Sequence, residues 1–183
     1  MTTIGFISLG CSKNLTDTEV MLAHLVRAGY SITPDETEAD IVIINTCGFI
    51  ESAKQESIES ILDIAWLKKQ GKCRGIICTG CLAERYREEI LKELPEVDAI
   101  LGVGSLSEIV EAVRAVEKKR SYSSFLDKEA SPLGGDRVLT TPEYTAYLKI
   151  AEGCDNRCTY CAIPLIRGRL RSRPIELLDT ECL

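Results

Sequence analysis

The sequence predicts an α/β fold: a parallel sheet covered by helices on both faces, followed by the start of a second α/β unit. Three observations carry that reading. Near-continuous apolar runs at residues 4–9, 40–46 and 75–79 fit strands buried on both sides. The segments between them show helical apolar spacing. Strand and helix alternate, as a parallel sheet with crossover helices requires.

The elements follow in order. Ile4 to Leu9 is a short buried strand, with Gly10 and Cys11 after it. Thr16 and Glu19 form a capping-box pattern, in which a hydroxyl and a carboxylate satisfy free amides at a helix start. Leu22, Leu25 and Val26 then mark an apolar helical face, and Gly29 is the expected stop. Asp40 to Thr46 is the second strand. A helix is expected over residues 52–69, with Ile58, Ile61, Leu62 and Ala65 on one face. Gly75 to Thr79 is the third strand, and a helix over about 83–94 ends before Pro95. A short strand follows at 98–101. Ser105 and Glu108 repeat the capping box ahead of a helix to about 119. Serine, proline and glycine mark residues 120–143 as a linker. Tyr144 to Ile150 reads as the first strand of the second unit. The expected division is therefore 1–119, a linker at 120–143, and 144–183.

Composition narrows the function. Apolar residues make up 45% of the 183, the share of an ordinary globular protein. A net charge of −6 argues against generic nucleic-acid binding by the whole chain. The N-terminus lacks the pattern of a signal peptide, and no apolar run is long enough to span a bilayer. A cytoplasmic location without membrane association is expected. Nine cysteines in a reducing compartment are thiols or metal ligands before they are disulfides.

Six of those cysteines form two groups. The first is Cys154-Asp-Asn-Arg-Cys158-Thr-Tyr-Cys161. Three thiols at this spacing fit an iron–sulfur cluster with one iron left open. The alternatives are a zinc site, which usually takes a fourth ligand, or reducible thiols without metal. The second group is Cys11, Cys47 and Cys81. Each follows a buried strand and lies beside a glycine. Loops after parallel strands emerge on one edge of the sheet, where such folds bind ligands. Three thiols far apart in sequence are thus expected to converge on a second metal site; buried packing is the alternative. Cys73, Cys78 and Cys182 read as structural, and His24 as a surface or packing residue.

Leu-Gly-Cys11, Asn-Thr-Cys47, Thr-Gly-Cys81 and Glu-Gly-Cys154, with Cys158 and Cys161, resemble the methylthiotransferase family of radical S-adenosylmethionine enzymes over essentially the whole chain. The resemblance implies one [4Fe–4S] cluster on Cys11, Cys47 and Cys81 and a second on Cys154, Cys158 and Cys161. It also implies S-adenosylmethionine as cofactor, with Tyr160 beside it. Family members insert sulfur at an unreactive C–H bond and methylate it, and need a reductant and a sulfur donor. Ser8-Leu-Gly-Cys-Ser-Lys-Asn-Leu15, with Asp17 and Glu19, is similar to the branch that modifies an aspartate β-carbon on small ribosomal subunit protein twelve. The alternative is the tRNA branch, which acts on isopentenyl-adenosine and more often carries Phe-Gly-Cys-Gln-Met-Asn in the first slot. A passive iron–sulfur module and a zinc-stabilised domain are the alternatives outside enzymes.

The resemblance further implies a partial TIM-like barrel beginning near residue 144 and a small C-terminal domain that contacts the substrate. Only the first strand and helix of such a barrel fit within 183 residues. The chain is therefore expected to be a fragment that does not turn over alone, with no catalytic residue assigned. Arg157 lies within the cluster motif and Arg167, Arg169, Arg171 and Arg173 follow it, with no acidic residue between Arg157 and Arg173. They read either as a solvated face or as a site for the carboxylate of S-adenosylmethionine or RNA phosphates.

Overall fold

The computed structural model describes residues 2–182. Six strands form one parallel sheet: β1 (Thr3–Ser8), β2 (Ser31–Thr33), β3 (Ile41–Thr46), β4 (Gly75–Gly80), β5 (Ala99–Leu101) and β6 (Tyr122–Ser124). Their spatial order is β2-β1-β3-β4-β5-β6. The chain steps from β1 outward to β2, then returns to place β3 on the other side of β1. Strand order therefore reverses between β1 and β3, which makes the crevice at their carboxyl ends the switch point of a doubly wound sheet.

Helices cover both faces. α1 (Ser12–Arg27) and α5 (Ile109–Glu117) pack on one, against Ile4, Ile41, Ile43, Ile77 and Leu101. α2 (Glu51–Lys69), α3 (Cys81–Arg85) and α4 (Arg87–Glu93) pack on the other, against Val42, Ile44, Ile76 and Ile100. Alternate residues of β3 and β4 point to opposite layers, so both faces need apolar side chains. That is why these strands read as continuous apolar runs. Burying each isoleucine contributes roughly 1.5–3 kcal/mol.

Several local expectations are corrected. α1 starts at Ser12, with Cys11 at the cap position and no side-chain cap. The Thr16 hydroxyl donates to Lys13 O at 2.8 Å, and the buried Glu19 accepts from Thr140 N at 2.9 Å. The second capping box also fails. A 3₁₀ turn, Leu106–Glu108, precedes α5; Ser105 Oγ accepts from Leu126 N, and Glu108 from the Tyr122 hydroxyl. In both places a tertiary partner takes the group that a local cap would have used. Val26 and Leu62, expected on apolar faces, are 49% and 48% exposed. The helix expected at 83–94 breaks at Tyr86 into α3 and α4. Gly29 ends α1 as expected, at φ 88° with its N–H on Val26 O.

Past α5 the differences are larger. Residues read as linker supply β6, the sixth strand of the sheet. Residues 144–150 form no regular strand. Arginine side chains take carbonyls there that a neighbouring strand would have paired: Arg137 bonds Tyr147 O and Arg173 bonds Lys149 O. Only β7 (Ala151–Glu152) pairs, antiparallel, with β8 (Arg171–Ser172). Two short helices complete the segment, α6 (Ile163–Arg167) and α7 (Ile175–Cys182). Among the described residues, no helix is long and apolar enough to cross a membrane.

Candidate metal centre

The strand register places the first three cysteines on one edge. Ser8 of β1 pairs with Asn45 of β3, and Thr46 of β3 pairs with Gly80 of β4. Cys11, Cys47 and Cys81 leave neighbouring strands just beyond those pairs, at the switch point. Cys47 and Cys81 are buried, whereas Cys11 is exposed.

Asn14, in the first turn of α1, pins the three loops together. Its Nδ2 donates to Leu9 O and Thr46 O, both at 2.9 Å, and its Oδ1 lies 3.5 Å from Cys81 Sγ. Ser57 of α2 clamps the Cys47 backbone: its hydroxyl accepts from Cys47 N at 3.0 Å and donates to Cys47 O at 2.9 Å. The glycines allow these loops to approach one another. A Cβ on Gly10, which has φ 90°, would fall 2.9 Å from Cys47 Sγ. One on Gly80, at φ 94°, would fall 2.3 Å from Asn45 Oδ1. That Asn45 Oδ1 and the neighbouring Thr79 Oγ1 are buried without a protein partner.

Burial pushes the Cys81 thiol up, and the adjacent Arg167 guanidinium works in the opposite direction. Cys78, within β4, is wholly buried and pushed up to about 12, as expected of a packing thiol. Cys73 is raised by burial too, while Cys182 is exposed. All nine cysteines are free thiols, soft donors of the kind iron–sulfur clusters take. Among the described residues, no three Cys, His, Asp or Glu side chains are drawn together closely enough to hold a metal ion. The Cys11, Cys47 and Cys81 loops thus fit a cluster in donor chemistry and placement, with their side chains not gathered as ligands.

Cys154, Cys158 and Cys161 lie on the loop between β7 and α6. Cys154 and Cys161 are half-buried and Cys158 is exposed. Cys154 N donates to Gly168 O and Cys161 N to Cys158 O, both at 3.1 Å. Tyr160 is 87% exposed, with its ring free of the fold. Gly153, at φ 74°, fits closely under Arg169: a Cβ there would meet its carbonyl at 2.0 Å.

A buried ionic group beside the first site went unrecognised in the sequence. Arg167 Nη1 donates to Asp17 Oδ2 at 2.6 Å and Glu152 Oε2 at 3.0 Å. Lys149 Nζ lies 2.6 Å from both Asp17 Oδ1 and Glu152 Oε2. Burial alone would raise the Glu152 carboxyl, but Arg167 and Lys149 outweigh it and hold it at about 2. Burial works against the Arg167 charge; Asp17, Cys81 and Glu152 overcome that and hold its pKa well above the usual arginine value. One signal was available in the sequence: Asn14 and Asp17 stand at helical spacing from Met21 and Leu25, on the face that α1 buries.

The arginine run is not a uniform solvated face. Arg167 is buried, Arg171 donates to the carbonyls of Lys128, Glu129 and Ser131, and Arg173 pairs with Glu181. Arg157 and Arg169 remain exposed, the latter 3.5 Å from Asp155.

Fold and edge together define a doubly wound α/β domain that presents thiols at its switch point. The chain belongs to the family described as Uncharacterized protein family UPF0004, whose model matches residues 3–102. It is 56% identical to the ribosomal protein uS12 methylthiotransferase RimO of Desulforamulus reducens, over 99% of this chain and 41% of that protein. Identity to the proteins of the same name is 52% in Thermoanaerobacter sp., over 96% of this chain and 40% of that one. In Geobacter sulfurreducens it is 53%, over 97% and 40%. The chain thus spans about two fifths of the length of these relatives.

Proposed function

We propose that this chain is part of a radical S-adenosylmethionine methylthiotransferase that modifies ribosomal protein uS12 at an aspartate β-carbon. The observation that carries the reading is the placement of Cys11, Cys47 and Cys81 on one sheet edge, where strand order reverses. The relatives' names add the reaction and favour the ribosomal protein over tRNA.

In this reading Cys11, Cys47 and Cys81 hold one [4Fe–4S] cluster, and Cys154, Cys158 and Cys161 hold another. When bound, such clusters supply a one-electron donor and iron with an open coordination position. The rest of the chain positions the donors. Asn14 and Ser57 fix the loops that carry the first three thiols. Gly153 and the β7–β8 pair set the start of the second thiol loop. Tyr160 is exposed beside Cys161, and in this reading it would contact S-adenosylmethionine. Arg157 and Arg169 are exposed near the same loop and are available to a substrate carboxylate or to ribosomal RNA. A cytoplasmic reductant and a sulfur donor complete the partners. The first domain would run through β6 (Tyr122–Ser124), with the connection after it and the start of the radical domain near residue 144.

The test is electron paramagnetic resonance on anaerobically reconstituted, reduced chain, with and without S-adenosylmethionine. The spectrum is expected to change on addition, to keep that change in Cys47→Ala and to lose it in Cys158→Ala. A spectrum indifferent to S-adenosylmethionine in the parent chain would sink the radical-enzyme reading.

A further inference from the structure

The C-terminal segment meets the thiol edge through one side chain. Arg167 closes α6, whose cap residue Ala162 and Ile166 pack with Cys81 and Val103. The residue is only 3% exposed. Its Nη1 faces Asp17 and Glu152. Its Nη2 faces the other way, donating to Asn14 Oδ1 and lying 3.4 Å from Cys81 Sγ. A guanidinium buried only to pair with carboxylates would need no more than the first prong. The second prong meets the sulfur and the asparagine that pins all three thiol loops.

We propose that Arg167 is a positioning residue for the first thiol site. It clamps the segment carrying Cys154, Cys158 and Cys161 onto the sheet edge. It also donates an N–H···S hydrogen bond to Cys81, which raises the reduction potential of an iron–sulfur cluster bound there. The proposal rests on the cluster reading above. A reducing agent such as dithionite gives such a cluster one electron; the cluster gains one negative charge and no covalent bond changes. Hydrogen bonds to cluster sulfur and local positive charge favour the reduced state. Burial strengthens that influence, because little water screens it. Without Arg167, Asp17 and Glu152 would face the site with only the half-buried Lys149 and the more exposed Lys13 as close cations. The added electron would then be less favoured.

The experiment uses the chain with Cys154, Cys158 and Cys161 all replaced by alanine, so that one site remains. After anaerobic reconstitution, redox potentiometry followed by electron paramagnetic resonance reads the potential. Arg167→Ala is expected to shift it to more negative values at unchanged iron content. Arg167→Lys is expected to give a smaller shift, because lysine keeps the charge but not the planar fork. Unchanged potential and line shape in both variants would overturn the proposal. Absence of iron in the parent would overturn the cluster reading, and the potential claim with it. The clamp has its own readout in the metal-free chain: alkylation of Cys81 by iodoacetamide, with Cys78 as internal reference. Arg167→Lys is expected to speed Cys81 several-fold and leave Cys78 protected. Equal acceleration at both thiols, or none at Cys81, would overturn the clamp.

Discussion

The sheet with its flanking helices and the segment after β6 are held by different forces. Among the described residues, the buried apolar side chains lie almost entirely in the first; Ala162 and Ile166 alone lie beyond residue 124. The segment is fastened by charge instead. Lys128 reaches Glu84, Arg137 reaches Glu19, and Lys149 and Arg167 reach Asp17. Apolar burial is non-directional and tolerates approximate packing. Buried ion pairs tolerate little, because removing one partner leaves a charge without solvent or counterion. The sheet body is therefore the stable platform, and the seating of the second thiol loop upon it depends on a few polar side chains.

The largest expected effects separate the two regions. Asp17→Ala removes a carboxylate shared by Arg167 and Lys149, a loss of about 3–5 kcal/mol for a buried pair. Limited proteolysis should then cut the chain after residue 125 while the body keeps its melting transition. Simultaneous loss of both regions would break the distinction. Ile77→Ala, at a fully buried position of β4, should cost about 2–5 kcal/mol in denaturant unfolding of the body. A loss below about 1 kcal/mol would mean that the sheet core is not the platform.

Gly10→Ala acts at the boundary. It combines a φ of 90° with a clash against Cys47, and should cost about 1–3 kcal/mol. It should also lower iron bound at the first site and spare the second, which iron analysis in the two cysteine-variant backgrounds would resolve.

The smallest effect concerns acid. The Thr3 N–H bond holds the Asp40 carboxyl below its usual 3.8, with burial opposing and Arg74 assisting. A lowered folded value means stability that is present at neutral pH and lost as pH falls through that value. Asp40→Asn should therefore flatten the acid side of the body's stability curve below about pH 4, a window set by the carboxylate range. Identical acid unfolding of the parent and the variant would contradict this.

The same contrast explains what could be read in advance. β3 and β4 were legible because strands buried on both faces are mostly apolar, and β1, though only partly buried, carries Ile4, Phe6 and Ile7. That Cys11, Cys47 and Cys81 share one edge was legible because parallel topology sends the chain after those strands to the same side. β6 was not, since Tyr122-Ser-Ser carries no apolar run and pairs only because β5 offers it a free edge. The Asp17–Arg167 pair spans 150 residues and has no periodicity to betray it. The capping boxes misled for a related reason: Glu19 and Ser105 were claimed by residues far along the chain.

The most direct measurement is iron and sulfide content after anaerobic reconstitution of three proteins: the chain, its Cys11/Cys47/Cys81 triple alanine variant and its Cys154/Cys158/Cys161 triple alanine variant. Two four-iron clusters predict about eight irons in the chain and about four in each variant. Iron content unchanged by loss of Cys11, Cys47 and Cys81 would show that the thiols at the switch point only pack, and would contradict the two-site account.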